Sequence, residues 1–396
     1  MPPFRYVKDR WQRSELEAFK RAALDAARRG GAAGARVADA VRDEETLARL
    51  SAAFARGDLA TWPYDDAYAA QAASPQDLLA GARSVVCVAL PYRVRSRPPE
   101  APLTGRVSSY AWSEDYHYRM RTLLQRIAAA LNEAAGECVT ALACDTKPLA
   151  ERALSAQSGL TWIGKHTNAI HREFGSFVFL GEVVTTLPLP PDATLKTNCG
   201  SCAKCVDICP TGALRGDYTI DATRCISDLT QRKDAIPRAL RPLVGTWVWG
   251  CDLCQDVCPP NERAQRSDDS RNEPLAAQAE HPPLTSLLRL RASEFKRLYA
   301  RTAMGWRGAA ILRRNAAVAL GNARDRSSVG ALAEALRDDP HPMVRGHAAW
   351  ALGRIGSPRA IDALVAASLG EADPQARGEV IAALEPYRSG KALQCT

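Results

Sequence analysis

Eight closely spaced cysteines constrain the fold of this chain more than any other feature of its 396 residues. The first group reads C-x2-C-x2-C-x3-C-P across residues 199–210, and the second reads C-x2-C-x3-C-P across residues 251–259, with Cys225 between them. Structural zinc sites generally use two short cysteine pairs joined by a long spacer, whereas here three cysteines surround one tight loop. The spacing therefore predicts a ferredoxin-like module with two 4Fe–4S clusters in preference to zinc or disulfides.

The cysteine before each proline is expected to bind the other cluster, so the two groups exchange ligands. We assign one cluster to a first cysteine set, which comprises Cys199, Cys202, Cys205 and Cys258. The other cluster takes a second cysteine set, which comprises Cys209, Cys225, Cys251 and Cys254. Two adjacent clusters form an electron relay, and a relay within one chain predicts a redox centre nearby. No Gly-rich dinucleotide fingerprint and no D-x-H-x-x-G cobalamin pattern identifies that centre.

Length and composition bound the class of protein. A chain of 396 residues with 46% hydrophobic residues is expected to form two or three folded domains. No apolar run approaches the ~18 residues of a membrane span, and the charged N-terminus lacks the apolar core of a signal peptide. Clustered thiols are typical of metal ligands in a reducing compartment, so we expect a cytoplasmic protein without a membrane partner. The formal net charge of +8 permits a polyanionic partner without requiring one.

Three regions follow one another along the chain. Residues 1–190 are predicted to form an α/β domain, with strands at 84–92, 136–145 and 174–189 and an amphipathic helix at 114–136. Residues 191–265 contain the cysteine module. Residues 266–396 begin with a polar, proline-bearing linker and continue as helices. Four further cysteines are scattered outside the module, at Cys87, Cys138, Cys144 and Cys395.

A repeat of 32 residues organises the C-terminal region. Leu320, Leu352 and Leu384 keep this spacing, and so do Arg313, Arg345 and Arg377. Helix pairs of this kind bury their apolar faces only by stacking on neighbouring pairs, which predicts a HEAT-like α-solenoid. The alternative is chance recurrence in helices rich in alanine and leucine.

With these motifs in view, the chain resembles the tRNA epoxyqueuosine reductase family. The resemblance rests on "CDTKPLAERALSAQSGLTWIGKHTNAI" (144–170), "FGSFVFLGEV" (174–183), the cysteine module, "RCIS" (224–227) and "LRRNAAVALGN" (312–322). It implies an α+β multidomain fold: an α/β cobalamin-binding domain like that of flavin nitroreductases, a ferredoxin-like module with two 4Fe–4S clusters, and a C-terminal HEAT-like α-solenoid. It also implies a cytosolic oxidoreductase that reduces epoxyqueuosine at the tRNA wobble position, the last step of queuosine biosynthesis.

The resemblance also implies a catalytic residue, Asp145, as the proton donor beside cobalamin. To hold a proton near neutral pH, this aspartate is expected to need an apolar setting that raises its pKa. The alternative is that Asp145 or Thr146 caps a helix opening at Pro148.

Further cobalamin contacts are implied at Thr167, Asn168, Ala169 and Ser227, which otherwise are ordinary turn and capping residues. His117, His166 and His171 are interpreted as surface or hydrogen-bonded histidines and not as cobalt ligands.

For tRNA, the strongest charge asymmetry lies between residues 289 and 314. Its cations suit contacts with phosphates of an anticodon loop, although a solvated amphipathic helix is the alternative. The predicted tRNA-binding residues are Arg152, Arg289, Arg291, Lys296, Arg297, Arg301, Arg307, Arg313 and Arg314. We expect a monomer that takes electrons from a donor that the sequence does not identify.

Two other functions compete with this interpretation. One is a cobalamin and iron–sulfur reductase acting on a small molecule, such as a reductive dehalogenase. The other is a ferredoxin relay carried on a HEAT scaffold. The first 80 residues match the family poorly, and Lys147 and Asp228 depart from its usual pattern.

Overall fold

The computed structural model describes residues 11–59, 61–275 and 279–388. The charged N-terminal residues 1–10 and the scattered Cys395 lie outside the described residues. Within the described ranges, no helix combines the length and apolarity needed to cross a membrane.

The N-terminal region carries a four-stranded antiparallel sheet and its covering helices. The strands stand in the order β1-β2-β7-β4, with two short strand pairs elsewhere. In chain order the elements are α1 (Arg13–Arg29), β1 (Gly34–Asp39), α2 (Glu44–Ala55), α3 (Asp66–Ala72), α4 (Pro75–Leu78), β2 (Ser84–Pro91), β3 (Arg106–Val107), α5 (Tyr116–Ala135), β4 (Thr140–Ala143), α6 (Glu151–Gln157), β5 (Trp162–Ile163), β6 (Ala169–Ile170) and β7 (Val178–Thr185).

Strand β2 is buried at every position because both faces of the sheet are covered. Val86 and Val88 pack in a core with α1 and α5, while the alternating Val85 and Cys87 pack in a second core with residues of α6. This explains the uninterrupted apolar run that predicted the strand. The predicted helix at 114–136 is α5, which ends before Gly136 at a φ of 80°. The strand predicted at 136–145 is shorter, at Thr140–Ala143, and β1 was not predicted.

The cysteine module is built mainly from short helices between loops. Its elements are α7 (Lys204–Ile208), α8 (Ile226–Gln231), β8 (Trp247–Trp249), α9 (Leu253–Asp256) and α10 (Pro259–Glu262). Strand β8 pairs in parallel with β3, so the module is joined to the N-terminal region by backbone hydrogen bonds.

The C-terminal region is mainly helical from Leu284 onwards in its described part. Its elements are α11 (Leu284–Leu288), α12 (Ala292–Tyr299), α13 (Ala309–Ala323), α14 (Val329–Asp338), α15 (Pro342–Ile355), α16 (Pro358–Gly370) and α17 (Pro374–Arg388). Leu320, Leu352 and Leu384 occupy equivalent buried positions on α13, α15 and α17. The predicted solenoid and the α+β multidomain fold are therefore confirmed.

Two contacts join the C-terminal region to the rest of the chain. The Arg314 guanidinium is fully buried and donates to the carbonyl oxygens of Leu229, Arg232 and Asp234 around α8. The segment interpreted as a linker also packs closely, because Arg119 on α5 donates to Asp269 and Asn272. The cysteine module is thereby held between the other two regions.

Candidate functional site

A large cavity of about 520 Å³ lies where the N-terminal region meets the cysteine module. The sheet region contributes Tyr116, Asp145 and Phe179 to its lining. The cysteine module contributes Ser227 and the whole second cysteine set. The Asp145 carboxylate and the sulfurs of the second cysteine set therefore border the same cavity.

Asp145 lies just beyond the end of β4 and projects into the large cavity. Its backbone has a φ of 58°, in the left-handed region that a residue with a side chain seldom adopts. The Glu151 carboxylate accepts a hydrogen bond from the Asp145 backbone N–H and holds this conformation. Helix α6 begins at Glu151 after Ala150, so Asp145 does not cap a helix opening at Pro148.

The side chain of Asp145 belongs to a polar network at the start of α5. The Tyr116 hydroxyl donates to Asp145 Oδ2 over 3.1 Å, and His117 Nε2 lies 3.7 Å from the same oxygen. His117 Nδ1 is 2.7 Å from Asp115 Oδ1. The Tyr116 ring stacks on Phe179 at a centroid distance of 4.0 Å, which fixes the position of its hydroxyl.

The expectation that an apolar setting raises the pKa of Asp145 is wrong. The neighbouring His117 and the Tyr116 hydroxyl lower the pKa of Asp145, so its own carboxyl is ionised at neutral pH. The same contacts raise the pKa of His117 to about 9, because Asp115 and then Asp145 stabilise the imidazolium. At neutral pH the proton of this pair therefore resides on His117. The interpretation of His117 as a hydrogen-bonded histidine agrees with this geometry.

Behind Asp145 lies a pair of buried carboxyls. Glu182 on β7 is fully buried, and neither of its carboxyl oxygens has a hydrogen-bond partner among the described residues. Burial, together with the charge of Glu151, raises the pKa of Glu182 well above its usual range. Burial also raises the pKa of Glu151, to about 7. One proton shared by this pair would relieve the repulsion between the carboxylates.

The residues of the 164–169 turn line the same cavity. Thr167 has a φ of 64°, and its backbone N–H donates to the Gly164 carbonyl over 2.8 Å. Asn168 and Ala169 follow it in the lining. Arg152 Nη1 donates to the Thr167 carbonyl over 2.7 Å, so this predicted tRNA contact stands at the cavity wall. Ser227 faces the cavity from α8 and accepts from the Gln231 amide over 3.1 Å.

The structure gathers the eight cysteines of the module into the two predicted sets. The first set lines a separate cavity of about 170 Å³, and the second set lines the large cavity. Within the described ranges, no three His, Cys, Asp or Glu side chains converge on a single metal ion. Sulfurs arranged around a cavity suit a polynuclear cluster better than a tetrahedral zinc ion.

The predicted tRNA-binding cations divide into exposed and buried groups. Arg291, Lys296 and Arg297 are exposed on or beside α12. Arg289 and Arg301 are exposed as well, paired with Glu334 and Glu114 respectively. Arg307 is half-buried and lies over the ring of Trp306.

Two of the predicted tRNA contacts are corrected by the structure. Arg314 is fully buried and bonded to backbone carbonyls, and its burial lowers its pKa to about 9. The Arg313 side chain is 13% exposed and ion-paired over 2.7 Å with Asp339, which is 4% exposed. Both guanidiniums are occupied inside the protein, so neither is offered to a phosphate.

Several site residues were missed by sequence reasoning. Tyr116 and His117 open α5, and Glu151 and Glu182 lie in segments already quoted for the family resemblance. Glu182 lies in the middle of the apolar strand "FVFLGEVV", and a carboxylate at such a position indicates a functional residue. Tyr116 carried no comparable signal, because its role depends on α5 starting beside the end of β4.

Family models match three separate parts of the chain. "Epoxyqueuosine reductase QueG, DUF1730" matches residues 73–146. "4Fe-4S double cluster binding domain" matches residues 198–261, and "HEAT repeats" matches residues 308–385. The last two matches support the iron–sulfur module and the solenoid.

Individual proteins are similar over most of the chain. Epoxyqueuosine reductase of Bacillus anthracis is 39% identical over 279 residues, which are 69% of this chain and 73% of that protein. The epoxyqueuosine reductase of Escherichia coli (strain K12) is 37% identical over 280 residues, with the same shares.

Solved structures agree over a still larger share. An epoxyqueuosine reductase crystallised with a tRNA-Tyr epoxyqueuosine-modified stem loop superposes with a TM-score of 0.88 at 32% identity, covering 94% of this chain and 100% of its own. An epoxyqueuosine reductase from Bacillus subtilis, whose catalytic aspartate loop is swung out of the active site, gives a TM-score of 0.87 at 32% identity, covering 93% and 99%.

Proposed function

This chain belongs to the epoxyqueuosine reductase family, and on that premise we propose that its large cavity reduces epoxyqueuosine in tRNA to queuosine. The observation that carries the proposal is that Asp145, which has His117 beside it, and the second cysteine set line the same cavity. Reducing an epoxide to an alkene consumes two electrons and two protons and releases the oxygen as water. A site for this reaction must bring an electron path and an acid to the same carbon–oxygen bond.

The cysteine module is suited to supply the electron path. We propose that the first and second cysteine sets each hold one 4Fe–4S cluster. Because the second set lines the large cavity and the first set lines the small one, the second cluster would be the one nearer the substrate. The electron donor would then meet the first cluster, whose cavity is bordered by the exposed Lys204.

The large cavity also fits cobalamin, the second redox centre that the relay calls for. Its lining combines apolar side chains such as Phe179 and Leu180 with the backbone of the 167–169 turn. His166 Nε2 is buried there without a hydrogen-bond partner among the described residues, which leaves it available to a polar group of a cofactor. Thr167, Asn168, Ala169 and Ser227 would hold the cofactor. When bound, cobalamin supplies redox chemistry at its cobalt ion.

The polar network determines how protons reach the epoxide. His117 holds the proton at neutral pH, and Asp145 is the group of the pair that projects into the cavity. We propose that Asp145 passes this proton to the departing oxygen and that His117 restores it. Tyr116 orients the carboxylate through its 3.1 Å hydrogen bond, and Glu151 holds the Asp145 backbone. In this proposal Asp145 transfers the proton, and His117 holds it beforehand.

Nucleoside analysis of tRNA is the decisive experiment. A strain lacking the gene should accumulate epoxyqueuosine and lose queuosine, and the restored gene should reverse both changes. Anaerobically purified protein should convert an epoxyqueuosine-bearing stem loop when given a chemical reductant. Normal queuosine levels in the deletion strain, together with no conversion in vitro, would refute the proposal.

We propose that the protein acts in the cytoplasm, since every described cysteine is free of a disulfide bond, as is typical of a reducing compartment. We propose also that it acts as a monomer. The absorbance spectrum of the anaerobic protein tests the cofactor assignment. It should show iron–sulfur bands and, after addition of cobalamin, the bands of a bound corrin.

A further inference from the structure

Four aromatic rings form a continuous row beside the large cavity. Tyr68 stacks on Tyr64 at a centroid distance of 4.2 Å, and Tyr64 lies parallel to Trp62 at 6.3 Å with an interplanar angle of 9°. Trp62 in turn stacks on Trp306 at 5.9 Å. These distances and angles are those of offset-stacked rings. We call Tyr68, Tyr64, Trp62 and Trp306 the aromatic row.

The aromatic row is assembled from distant parts of the sequence and is held in place. Trp62 precedes α3, whereas Trp306 lies between α12 and α13. The Trp62 indole N–H donates to Asp228 Oδ1 over 2.8 Å, and the Asp228 carboxylate is ion-paired with Arg232. Asp228, which departs from the family pattern, therefore positions a ring of the row.

The row adjoins the cavity on one side and solvent on the other. Asp228 is next to Ser227, which lines the cavity, and Leu59 lines it just before Trp62. Burial raises the pKa of Tyr68 to about 12, and the charge of Asp145 adds to this shift. At the other end Trp306 is 53% exposed, and Tyr64 is 37% exposed.

A cation accompanies the outer end of the row. The Arg307 guanidinium carbon lies 3.6 Å from the ring centroid of Trp306 and 5.2 Å from that of Trp62. Exposed cations on and beside α12 precede Arg307 in the sequence. Rings needed only for packing would be covered, whereas half of Trp306 is left open to solvent.

We propose that the aromatic row stacks the unpaired bases next to the modified nucleotide of the substrate RNA. The proposal rests on the proposed function and specifies how the RNA is held there. A nucleotide that enters the cavity loses the stacking of its neighbours in the loop. Exposed aromatic faces and a guanidinium plane replace that stacking without regard to base identity, and they bind single-stranded nucleotides in this way.

The test compares Trp306→Ala with Trp306→Phe, using the protein with its clusters and an epoxyqueuosine-bearing stem loop. Loss of one stacked base should raise the Kd of Trp306→Ala by about 5- to 100-fold. Trp306→Phe keeps a ring and should bind nearly as tightly as the unaltered protein. Tyr118→Ala removes another exposed aromatic ring, on α5 outside the row, and serves as the matched control. The single-turnover rate at saturating RNA should change little, because Trp306 is not among the residues that line the cavity.

A second part of the experiment removes a base from the RNA and leaves the aromatic ring of the protein in place. Stem loops carrying an abasic nucleotide on either side of the modified one are titrated against both proteins. The abasic change should weaken binding to the unaltered protein but have much less effect on Trp306→Ala, because both changes remove the same contact. Tyr64→Ala should show the same pattern, and cluster absorbance with thermal unfolding verifies that each variant is folded.

The outcomes separate the two proposals. If the unaltered protein fails to convert epoxyqueuosine, the proposed function fails, whatever the variants do. If it converts epoxyqueuosine while Trp306→Ala and Tyr64→Ala bind RNA like Tyr118→Ala, the stacking role is refuted. A rate defect in these variants that appears with a protein electron donor, but not with a chemical reductant, would also refute it in favour of a protein-docking surface.

Discussion

At the scale of single residues, the proposed mechanism stores the proton on His117, one side chain away from Asp145, which faces the cavity. Asp145 alone would be a poor acid, since its contacts lower its pKa. His117, between Asp115 and Asp145, is a strong base with a pKa near 9 and is therefore protonated under physiological conditions. The pair resolves the difficulty of using a carboxylate as a proton donor without burying it in apolar surroundings.

Asp145→Asn should abolish proton delivery while leaving the cofactor sites intact. The amide keeps the size of the side chain and can still meet the Tyr116 hydroxyl, but it carries no proton to an oxygen leaving group. Turnover should fall by about 100-fold or more. The absorbance of the clusters and of added cobalamin should be unchanged. Near-normal turnover with a full set of cofactors would remove Asp145 from the mechanism.

The pH dependence of activity should report His117. Its pKa is raised from about 6.5 to about 9, so the proton is present at neutral pH and is lost as the pH rises through 9. The activity should fall over that range. In His117→Gln the pKa of Asp145 should rise, because its main stabilising partner is gone, and a carboxyl, whose ordinary pKa is about 4, replaces the imidazolium as the acid. The falling limb of kcat/KM should therefore move to more acidic pH.

His341→Gln is the control for this profile, because His341 is exposed at the start of α15 and far along the chain from the site. It should leave the limb where it is. If the falling limb of kcat/KM stayed at the same pH in His117→Gln, the acid that titrates there would be a group other than His117.

At the scale of elements, the 32-residue repeat encodes an ion pair as well as an apolar stripe. Arg313 on α13 pairs with Asp339 after α14, and Arg345 on α15 pairs with Glu371 after α16 over 2.8 Å. In two successive repeats, an arginine of one helix therefore pairs with the carboxylate that follows the next helix in the chain. The 32-residue recurrence of Arg313 indicated a structural role. Its position in the basic segment 289–314 instead led to its prediction as a tRNA contact.

Arg313→Ala should destabilise the solenoid and spare RNA contacts. Removing the guanidinium leaves the Asp339 carboxylate buried without its cation, which costs about 3 kcal/mol. Arg345→Ala should cost a similar amount, because Glu371 is left in the same position. Arg297→Ala, on the exposed side of α12, is the matched control and should change the free energy of unfolding little. Urea denaturation measures all three, and equal stability of Arg313→Ala and Arg297→Ala would contradict the pairing.

At the scale of the whole molecule, the three regions act as one because each catalytic requirement comes from a different region. The N-terminal region carries the proton network, the cysteine module carries the electron path, and the segment around α12 carries exposed cations. Arg314 and its neighbour Asn315 bind the backbone of the module from α13. Buried contacts of this kind fix the position of α13 relative to the cysteine module and its cavity.

Neutralising the exposed cations should change how RNA binding depends on salt. A variant with Arg291, Lys296 and Arg297 changed to glutamine should bind the stem loop more weakly, with a shallower slope of log K against log salt. For a single-stranded segment, the slope falls by about 0.7 for each phosphate that no longer meets a cation. Changing the exposed Arg28 and Arg29 at the end of α1 is the control and should leave the slope unaltered. Equal slopes in both variants would mean that the α12 cations are only solvated.

The sequence by itself determined the metal chemistry, the main elements and the repeat. Cysteine spacing encodes which thiolates can share a cluster, because a tight loop limits where its sulfurs point, and the structure groups the same two sets around two cavities. Apolar runs and helical periodicity predicted β2, β7, α5 and the solenoid, because burial imposes these patterns locally. The family motif located Asp145.

Only the tertiary structure decided how charges and rings are used. The pKa of Asp145 depends on His117, and the role of Arg314 depends on carbonyl groups that are about eighty residues distant in sequence. The aromatic row joins Trp62 to Trp306 across the fold. Electrostatic and stacking energies depend on distances in space and on solvent exposure. Both quantities are set by the tertiary fold and cannot be read from the order of residues in the sequence.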